Sequence, residues 1–288
     1  MDVFVALLLP LAVAVIMFSL GLGLTPEDFR RIVKRPRAFC IGALNQIVLL
    51  PIIAYIIILV FEFRNETAVG IMILASCPGG AASNVITRLA KWDVALSVTL
   101  TAAFSLSCVV TIPIILSFAV TQFMQTTAPD IDITSTAITA FLLTALPIVL
   151  GVMLRAAVPK ATAIVAPTLA KLALVLFAAV IFAAIASNWQ VVTDNIAQLG
   201  AGMIFLVAAL SITGFIVSRL LGSSNREAKT ISVETGVQNG ALALTIAGLL
   251  IADGPTFNAY AVPAALYSVV WIGTALPTFL VIALKLEK

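Results

Sequence analysis

One acidic residue of this chain falls where a charge is costly, in the middle of an apolar segment. The chain has 13 Asp and Glu residues, and all except Glu234 fall in predicted loops or at the ends of segments. A carboxylate near the centre of a bilayer costs about 2.5–3.5 kcal/mol even on insertion scales. Because no Lys or Arg is expected at that depth, Glu234 is either protonated or neutralised by a mobile cation.

Polar side chains suited to a cation occur in other apolar segments. Ser97 and Thr101 are four residues apart and therefore share one face of a helix, although either hydroxyl could instead bond to the carbonyl four residues earlier. Hydroxyl, amide and carboxylate oxygens are hard ligands, which suit a hard cation better than a soft metal. The remaining candidates are Gln46, Ser83, Asn84, Gln238 and Asn239.

Two apolar segments are interrupted near their centres by small and polar residues, at 76–84 and at 234–240. In the first, Pro78 removes a backbone donor and clashes with the preceding turn, and two glycines follow it. Unwound backbone at membrane depth is tolerated only inside protein or beside a water-filled cavity. A pair of such breaks is typical of a transporter site, while a kink that serves only helix packing is the simpler alternative.

The composition shows what surrounds these residues. The chain is 62% hydrophobic and 10% charged, with a mean hydropathy of +1.18, whereas soluble domains are about 25% charged. This excludes an ordinary soluble enzyme, a nucleic-acid-binding protein and a disordered chain. The chain has no histidine, the usual proton carrier near neutral pH. Cys40, Cys77 and Cys108 lack metal-site spacing and are expected to be buried small hydrophobes.

The apolar runs predict an all-α polytopic membrane protein with nine transmembrane helices, and we expect residues 1–288 to form one transporter domain. Of the 16 Lys and Arg residues, all except Arg64 come after an odd-numbered span and therefore on the same side of the membrane. Because basic loops stay in the cytoplasm, the N-terminus is predicted outside and the C-terminus inside. The spans are 3–24, 38–61, 68–90, 94–120, 133–154, 161–186, 196–221, 228–252 and 259–284.

Counting charges suggests a mechanism for such a site. One sodium ion would neutralise Glu234, a second would leave about one positive charge, and a monoanionic substrate would then make the site neutral. The N-terminal ends of broken helices also favour anions. The hypothesis is a sodium-coupled carrier for an organic anion. A proton-coupled carrier that uses Glu234 and a passive channel are the alternatives, and an enzyme is not expected.

The motifs, in order and spacing, resemble the bile acid:sodium symporter family over nearly the whole chain. They lie at 17–24 with Asp28 and Phe29, at 77–84, at 93–101 and at 234–239. The resemblance implies alternating access by a core domain (38–120 and 196–284) and a panel domain (3–24, 133–154 and 161–186). It also implies inverted five-helix repeats, with the first helix of one repeat missing, and two discontinuous helices that cross at their unwound centres.

The resemblance further implies two sodium sites. One would use Ser83, Asn84, Ser97, Thr101 and Glu234. The other would use the side chains of Gln46, Glu234 and Gln238 with the backbone carbonyls of Thr235 and Val237.

The substrate is expected near Gly80, Ala81, Asn239 and Trp271, and it would be a bile-acid-like or small carboxylate anion. Bacterial relatives often have Thr where Ala81 stands, and relatives often have Trp-His-Asn where this chain reads Val270, Trp271 and Ile272. The expected partners are this anion, sodium and the lipid bilayer, in a bacterial inner membrane. Neither nucleic acid nor an obligate protein partner is expected.

Overall fold

The computed structural model describes residues 2–25, 27, 28, 30, 36–124, 132–250 and 257–279, and nearly all of these are helical. One isolated two-residue bridge, between Gly79 and Gln238, is the only strand-like pairing within those ranges. In chain order the helices are α1 (Asp2–Gly23), α2 (Pro36–Val60), α3 (Asn65–Ser76), α4 (Ala81–Leu89), α5 (Val94–Phe123), α6 (Thr134–Ala157), α7 (Pro159–Ser187), α8 (Trp189–Leu220), α9 (Asn225–Gly236), α10 (Gly240–Leu249) and α11 (Val262–Phe279).

Five of these helices, α2, α5, α6, α8 and α11, are long and apolar enough to cross a membrane. Large apolar side chains such as Ile164 and Phe182 are exposed on the outside of the molecule, where a soluble protein would carry polar groups. The class predicted from the sequence, a helical membrane protein, is therefore confirmed. Two of the predicted span ends, Ala252 and Leu284, lie outside the described residues. The same holds for one motif residue and several of the basic residues counted above: Phe29, Arg31, Lys34, Arg35, Lys285 and Lys288.

The two interrupted segments each form two helices. Helices α3 and α4 are separated at 77–80, where Pro78 cannot donate a backbone hydrogen bond, and α9 and α10 are separated at 237–239. The side chain of Asn239 accepts a hydrogen bond from the amide of Leu242 at 3.0 Å and so starts α10, as an N-cap residue does. The polar residues of both breaks therefore end one helix and begin the next.

Three helices contain short π-helical segments, at Leu44–Leu49, Phe141–Ala145 and Trp271–Ala275. In each case a leucine and a proline follow, with the prolines at 51, 147 and 277. Because proline lacks an N–H and its ring clashes with the carbonyl four residues earlier, the preceding turn is widened. Such π-bulges are frequent at functional sites, and the first of these three holds Gln46.

The helices pack closely where small residues meet. Helix α1 packs against α6 and α7, while α8 packs against α9 and α11, and α3 packs against α5. Gly151 of α6 lies directly against the backbone of Phe18 and Leu22 in α1, a close approach that small residues allow in membrane helices. Cys77 and Cys108 are buried as expected, but the expectation is wrong for Cys40, which is exposed on the outward side of α2.

Candidate cation site

Glu234, near the end of α9, is buried, with 1% of its surface exposed. One carboxylate oxygen accepts hydrogen bonds from the hydroxyls of Ser83 at 2.7 Å and Ser97 at 2.9 Å. The other oxygen accepts a hydrogen bond from the Thr101 hydroxyl. Its hydrogen-bond partners in the described part of the chain are these hydroxyls, and none carries a positive charge. The site therefore holds an acidic group and oxygen ligands without a fixed counter-ion.

Three separate elements bring these oxygens together. Ser83 lies in the first turn of α4, Ser97 and Thr101 lie on one face of α5, and all three are fully buried. The Thr101 hydroxyl has a single proton and two acceptors within reach, the Glu234 carboxylate and the carbonyl of Ser97 at 3.0 Å. The bond to the carbonyl four residues earlier, considered from the sequence, therefore competes with the contact to Glu234. The amide of Asn84 donates to the Thr101 hydroxyl at 3.3 Å. The structure thus gathers all five residues expected around the first ion.

The unwound segments lie against each other beside this cluster. The amide of Gly80 donates to the carbonyl of Val237 at 2.8 Å, and the amide of Asn239 donates to the carbonyl of Pro78 at 3.0 Å. These bonds satisfy part of the backbone that the broken helices leave free. A Cβ atom at Gly79 would collide with the carboxylate of Glu234, so a larger residue at this position would force the carboxylate to move.

A second group of oxygens surrounds Gln46. Its amide donates to the carbonyl of Cys77 and to the side-chain oxygen of Gln238, both at 2.9 Å. The amide of Gln238 donates in turn to the carbonyl of Thr235 at 2.7 Å. A carbonyl oxygen has two lone pairs. The carbonyl of Thr235 accepts the bond from Gln238 and that of Val237 accepts one from Gly80, and these bonds leave one lone pair of each oxygen unused.

The side-chain oxygen of Gln46 is buried and has no hydrogen-bond partner among the described residues. Beside it, Cys77 and Pro78 help to line a small cavity of about 10 Å³. A volume of about 10–15 Å³ in this measure holds one water molecule. The cavity therefore has room for one water molecule, and none of the other four expected ligands of the second ion lines it.

The structure places the residues expected near the substrate in two different regions. Gly80, Ala81 and Asn239 lie at the meeting of the two breaks, and Ala81 also lines a crevice of about 140 Å³ between α1, α4, α5 and α7. Trp271 does not line this crevice. It is buried in the apolar core at the start of the third π-helical segment, and its ring N–H has no hydrogen-bond partner within the described ranges.

Three features of the site were not predicted from the sequence. Arg88, which is not among the candidate site residues of the sequence, lines the crevice at the far end of α4 from Ala81. The need for glycine at position 79 was not recognised. The π-helical segment that carries Gln46 was also missed, although the Leu-Pro pair that ends each such segment is visible in the sequence.

Comparison with known proteins identifies the family. The profile of the sodium bile acid symporter family matches residues 10–195, more than half of the chain. The chain belongs to this family. Members of the sodium bile acid symporter family are transporters, which confirms the expectation that the chain is not an enzyme.

Relatives from bacteria, plants and animals align over most of the chain. An uncharacterized sodium-dependent transporter of Bacillus subtilis (strain 168) is 29% identical over 88% of this chain and 76% of its own length. A probable chloroplastic sodium/metabolite cotransporter of Oryza sativa subsp. japonica is 30% identical over 81% of the chain and 54% of its own length. The ileal sodium/bile acid cotransporter of Homo sapiens is 26% identical over 86% of the chain and 71% of its own length.

Proposed function

We propose that this protein carries an organic anion across the membrane together with sodium ions by alternating access. The observation that carries the proposal is the buried Glu234 carboxylate, whose hydrogen-bond partners are neutral hydroxyls. An unneutralised charge at this depth is unfavourable, so the site needs a cation or a proton. Its relatives include a sodium-dependent transporter and a sodium/bile acid cotransporter, which favours sodium.

The first sodium ion would lie among the oxygens of Ser83, Asn84, Ser97, Thr101 and Glu234. Their hydroxyl, amide and carboxylate groups are the hard ligands that an alkali cation prefers. The ion would replace the hydrogen bonds between the hydroxyls and the carboxylate with direct contacts to the same oxygens. Binding therefore requires little rearrangement of the buried helices.

The second ion would lie near Gln46, between the carbonyls of Thr235 and Val237 and the side-chain oxygens of Gln238 and Glu234. The buried side-chain oxygen of Gln46, which has no hydrogen-bond partner among the described residues, supports this assignment. The ion would contact the second lone pair of the Thr235 carbonyl, which the bond from the Gln238 amide does not use.

The proposed movement involves two groups of helices. The core would contain 38–120 and 196–284, and the panel would contain 3–24, 133–154 and 161–186, in a nine-span arrangement of two inverted repeats. The close packing of α1 with α6 and α7 supports the panel, and the pairing of the two breaks supports the core. The distribution of basic residues supports an outer N-terminus and a cytoplasmic C-terminus.

Transport by purified protein in liposomes tests the proposal. Uptake of an organic anion should require an inward sodium gradient and should fall to background when choline replaces sodium at fixed pH. Preloaded unlabelled anion should accelerate uptake of labelled anion, as expected for a carrier and not for a channel. Uptake that is driven by a proton gradient and does not depend on sodium would contradict this proposal and would indicate a proton-coupled carrier.

A further inference from the structure

The crevice between α1, α4, α5 and α7 contains a single charged side chain among the described residues that line it. Arg88 lies there together with two polar residues, Ser19 and Asn84. The remaining lining is apolar or small, from Ile16, Leu20, Gly23, Ala81, Val85, Val98, Ala170 and Ala173. A cation at one end of an apolar cleft suits a ligand that has one anionic group and one apolar body.

The guanidinium of Arg88 is available to a ligand. Arg88 is exposed, and its side chain makes no ion pair or hydrogen bond with any other residue of the described part of the chain. A guanidinium presents a planar fork of donors that matches a carboxylate with two parallel hydrogen bonds.

The crevice adjoins the proposed sodium site. Asn84 lines the crevice and also donates to the Thr101 hydroxyl, which in turn bonds to Glu234. Ala81 and Arg88 are seven residues apart on α4, which is two helical turns. A ligand that lies along α4 could therefore contact Arg88 at one end and the sodium site at the other.

The volume of the crevice limits the apolar body of this ligand. It measures about 140 Å³, close to the roughly 150 Å³ of an engineered cavity that binds benzene. One six-membered ring or a short branched chain fills this space.

Resting on the sodium-coupled function proposed above, we propose that Arg88 binds the carboxylate of a small organic monoanion whose apolar body fills this crevice. Arg88 then determines specificity: it favours an anion over a neutral ligand of the same shape, and it does not contribute to sodium binding.

The test begins with the wild-type protein in detergent. Its thermal unfolding midpoint is measured with benzoate and with straight-chain monocarboxylates of four to seven carbons, in sodium chloride and in choline chloride. At least one of these acids should stabilise the protein in sodium. If none does, the assignment of a small carboxylate is wrong. If stabilisation by the acid is equal in choline, the sodium-coupled function is wrong instead.

The strongest ligand is then compared with its uncharged amide, by calorimetry, in three variants. In Arg88→Gln, the preference for acid over amide should fall by about tenfold or more, since tenfold is the low end expected for hydrogen bonds between charged groups. Arg88→Lys should keep much of the preference. Lys171→Gln removes an exposed charge from α7 near Ala170 without altering the crevice lining, so its preference should equal that of the wild type.

Stabilisation of Arg88→Gln by sodium alone shows that this variant is folded and that its cation site is intact. If Arg88→Gln binds acid and amide with the wild-type ratio, the role of Arg88 is wrong while the sodium-coupled function stands. Loss of sodium binding in Arg88→Gln would also contradict the proposal, because it would place Arg88 in the cation site.

Discussion

At the level of single residues, one carboxylate is buried away from water without a positively charged partner among the described residues. Glu234 is surrounded by the neutral hydroxyls of Ser83, Ser97 and Thr101, which can stabilise a negative charge but cannot cancel it. A buried charge whose partner is absent is strongly destabilising. A captured cation resolves this problem, and the protein is then most stable when the cation is present.

Replacing Glu234 with Gln should remove this dependence. Sodium should raise the thermal unfolding midpoint of the wild type but should leave that of Glu234→Gln unchanged. Without sodium, the variant should be at least as stable as the wild type, since a neutral amide does not carry the cost of a buried charge. Thermal unfolding over a series of sodium concentrations measures both effects.

Glu227→Gln is the matched control for this substitution. Glu227 lies on the same helix, is partly exposed and completes a capping box with Ser224, and Gln serves equally well in that motif. Its stabilisation by sodium should match that of the wild type. An equal loss of sodium stabilisation in Glu227→Gln would mean that the effect is not specific to the buried carboxylate.

The hydroxyl of Thr101 should contribute to sodium affinity. Thr101→Val keeps the shape of the side chain but removes one oxygen, and sodium should then bind about tenfold more weakly, or about 1.4 kcal/mol. Thr99→Val is the control, because the Thr99 hydroxyl bonds to the carbonyl of Ala95 at 2.6 Å on another face of α5. Sodium titrations of both variants measure their sodium affinities. Equal sodium affinity in Thr101→Val and Thr99→Val would exclude Thr101 as a ligand.

At the level of helices, the site depends on two breaks that pair with each other. The backbone bonds from Gly80 to Val237 and from Asn239 to Pro78 hold the segments in register. This register places the end of α9, with Glu234, next to the start of α4, with Ser83. The pairing therefore positions ligands that are far apart in the chain.

Substitution of Gly79 by Ala should disturb this pairing. The new Cβ would meet the carboxylate of Glu234, so we expect a loss of about 1–3 kcal/mol in stability, typical of overpacking, together with weaker sodium binding. Gly273→Ala is the control, since a Cβ there meets no atom within 4 Å. Thermal unfolding with and without sodium compares the two, and equal behaviour would contradict the close approach inferred here.

The sequence predicted some of these features and not others. The position of Glu234 and the common face of Ser97 and Thr101 follow from hydropathy and helical periodicity, and the structure brings them together. That Gly79 pairs with Gln238 could not be predicted, because the register of two distant segments depends on the tertiary packing of all the helices around them.

Helix ends were also predicted with mixed success. Helix α8 begins at Trp189 rather than at residue 196, because its first turns are polar and were interpreted as a loop. Gln190 and Asp194 are four residues apart and bond to each other at 3.2 Å, which supports a helix that hydropathy alone does not detect. The widened turn around Gln46 was missed for a related reason, since the proline that causes it lies five residues further along the chain.

At the level of the whole molecule, the crevice and the sodium site share Asn84, so their ligands should influence each other. If sodium increases the affinity for a small carboxylate by some factor, the carboxylate must increase the affinity for sodium by the same factor. Calorimetric titration of each ligand, with and without the other, measures both factors. Tight carboxylate binding that is independent of sodium would mean that the two sites are not coupled.

Equilibrium binding of radioactive sodium to the purified protein tests the central claim most directly. Unlabelled sodium should displace the bound radioactive sodium, and choline should not. Saturable binding should be retained in Glu227→Gln and lost in Glu234→Gln. The same saturable binding in Glu234→Gln as in the wild type would contradict the claim that this carboxylate is neutralised by a captured sodium ion.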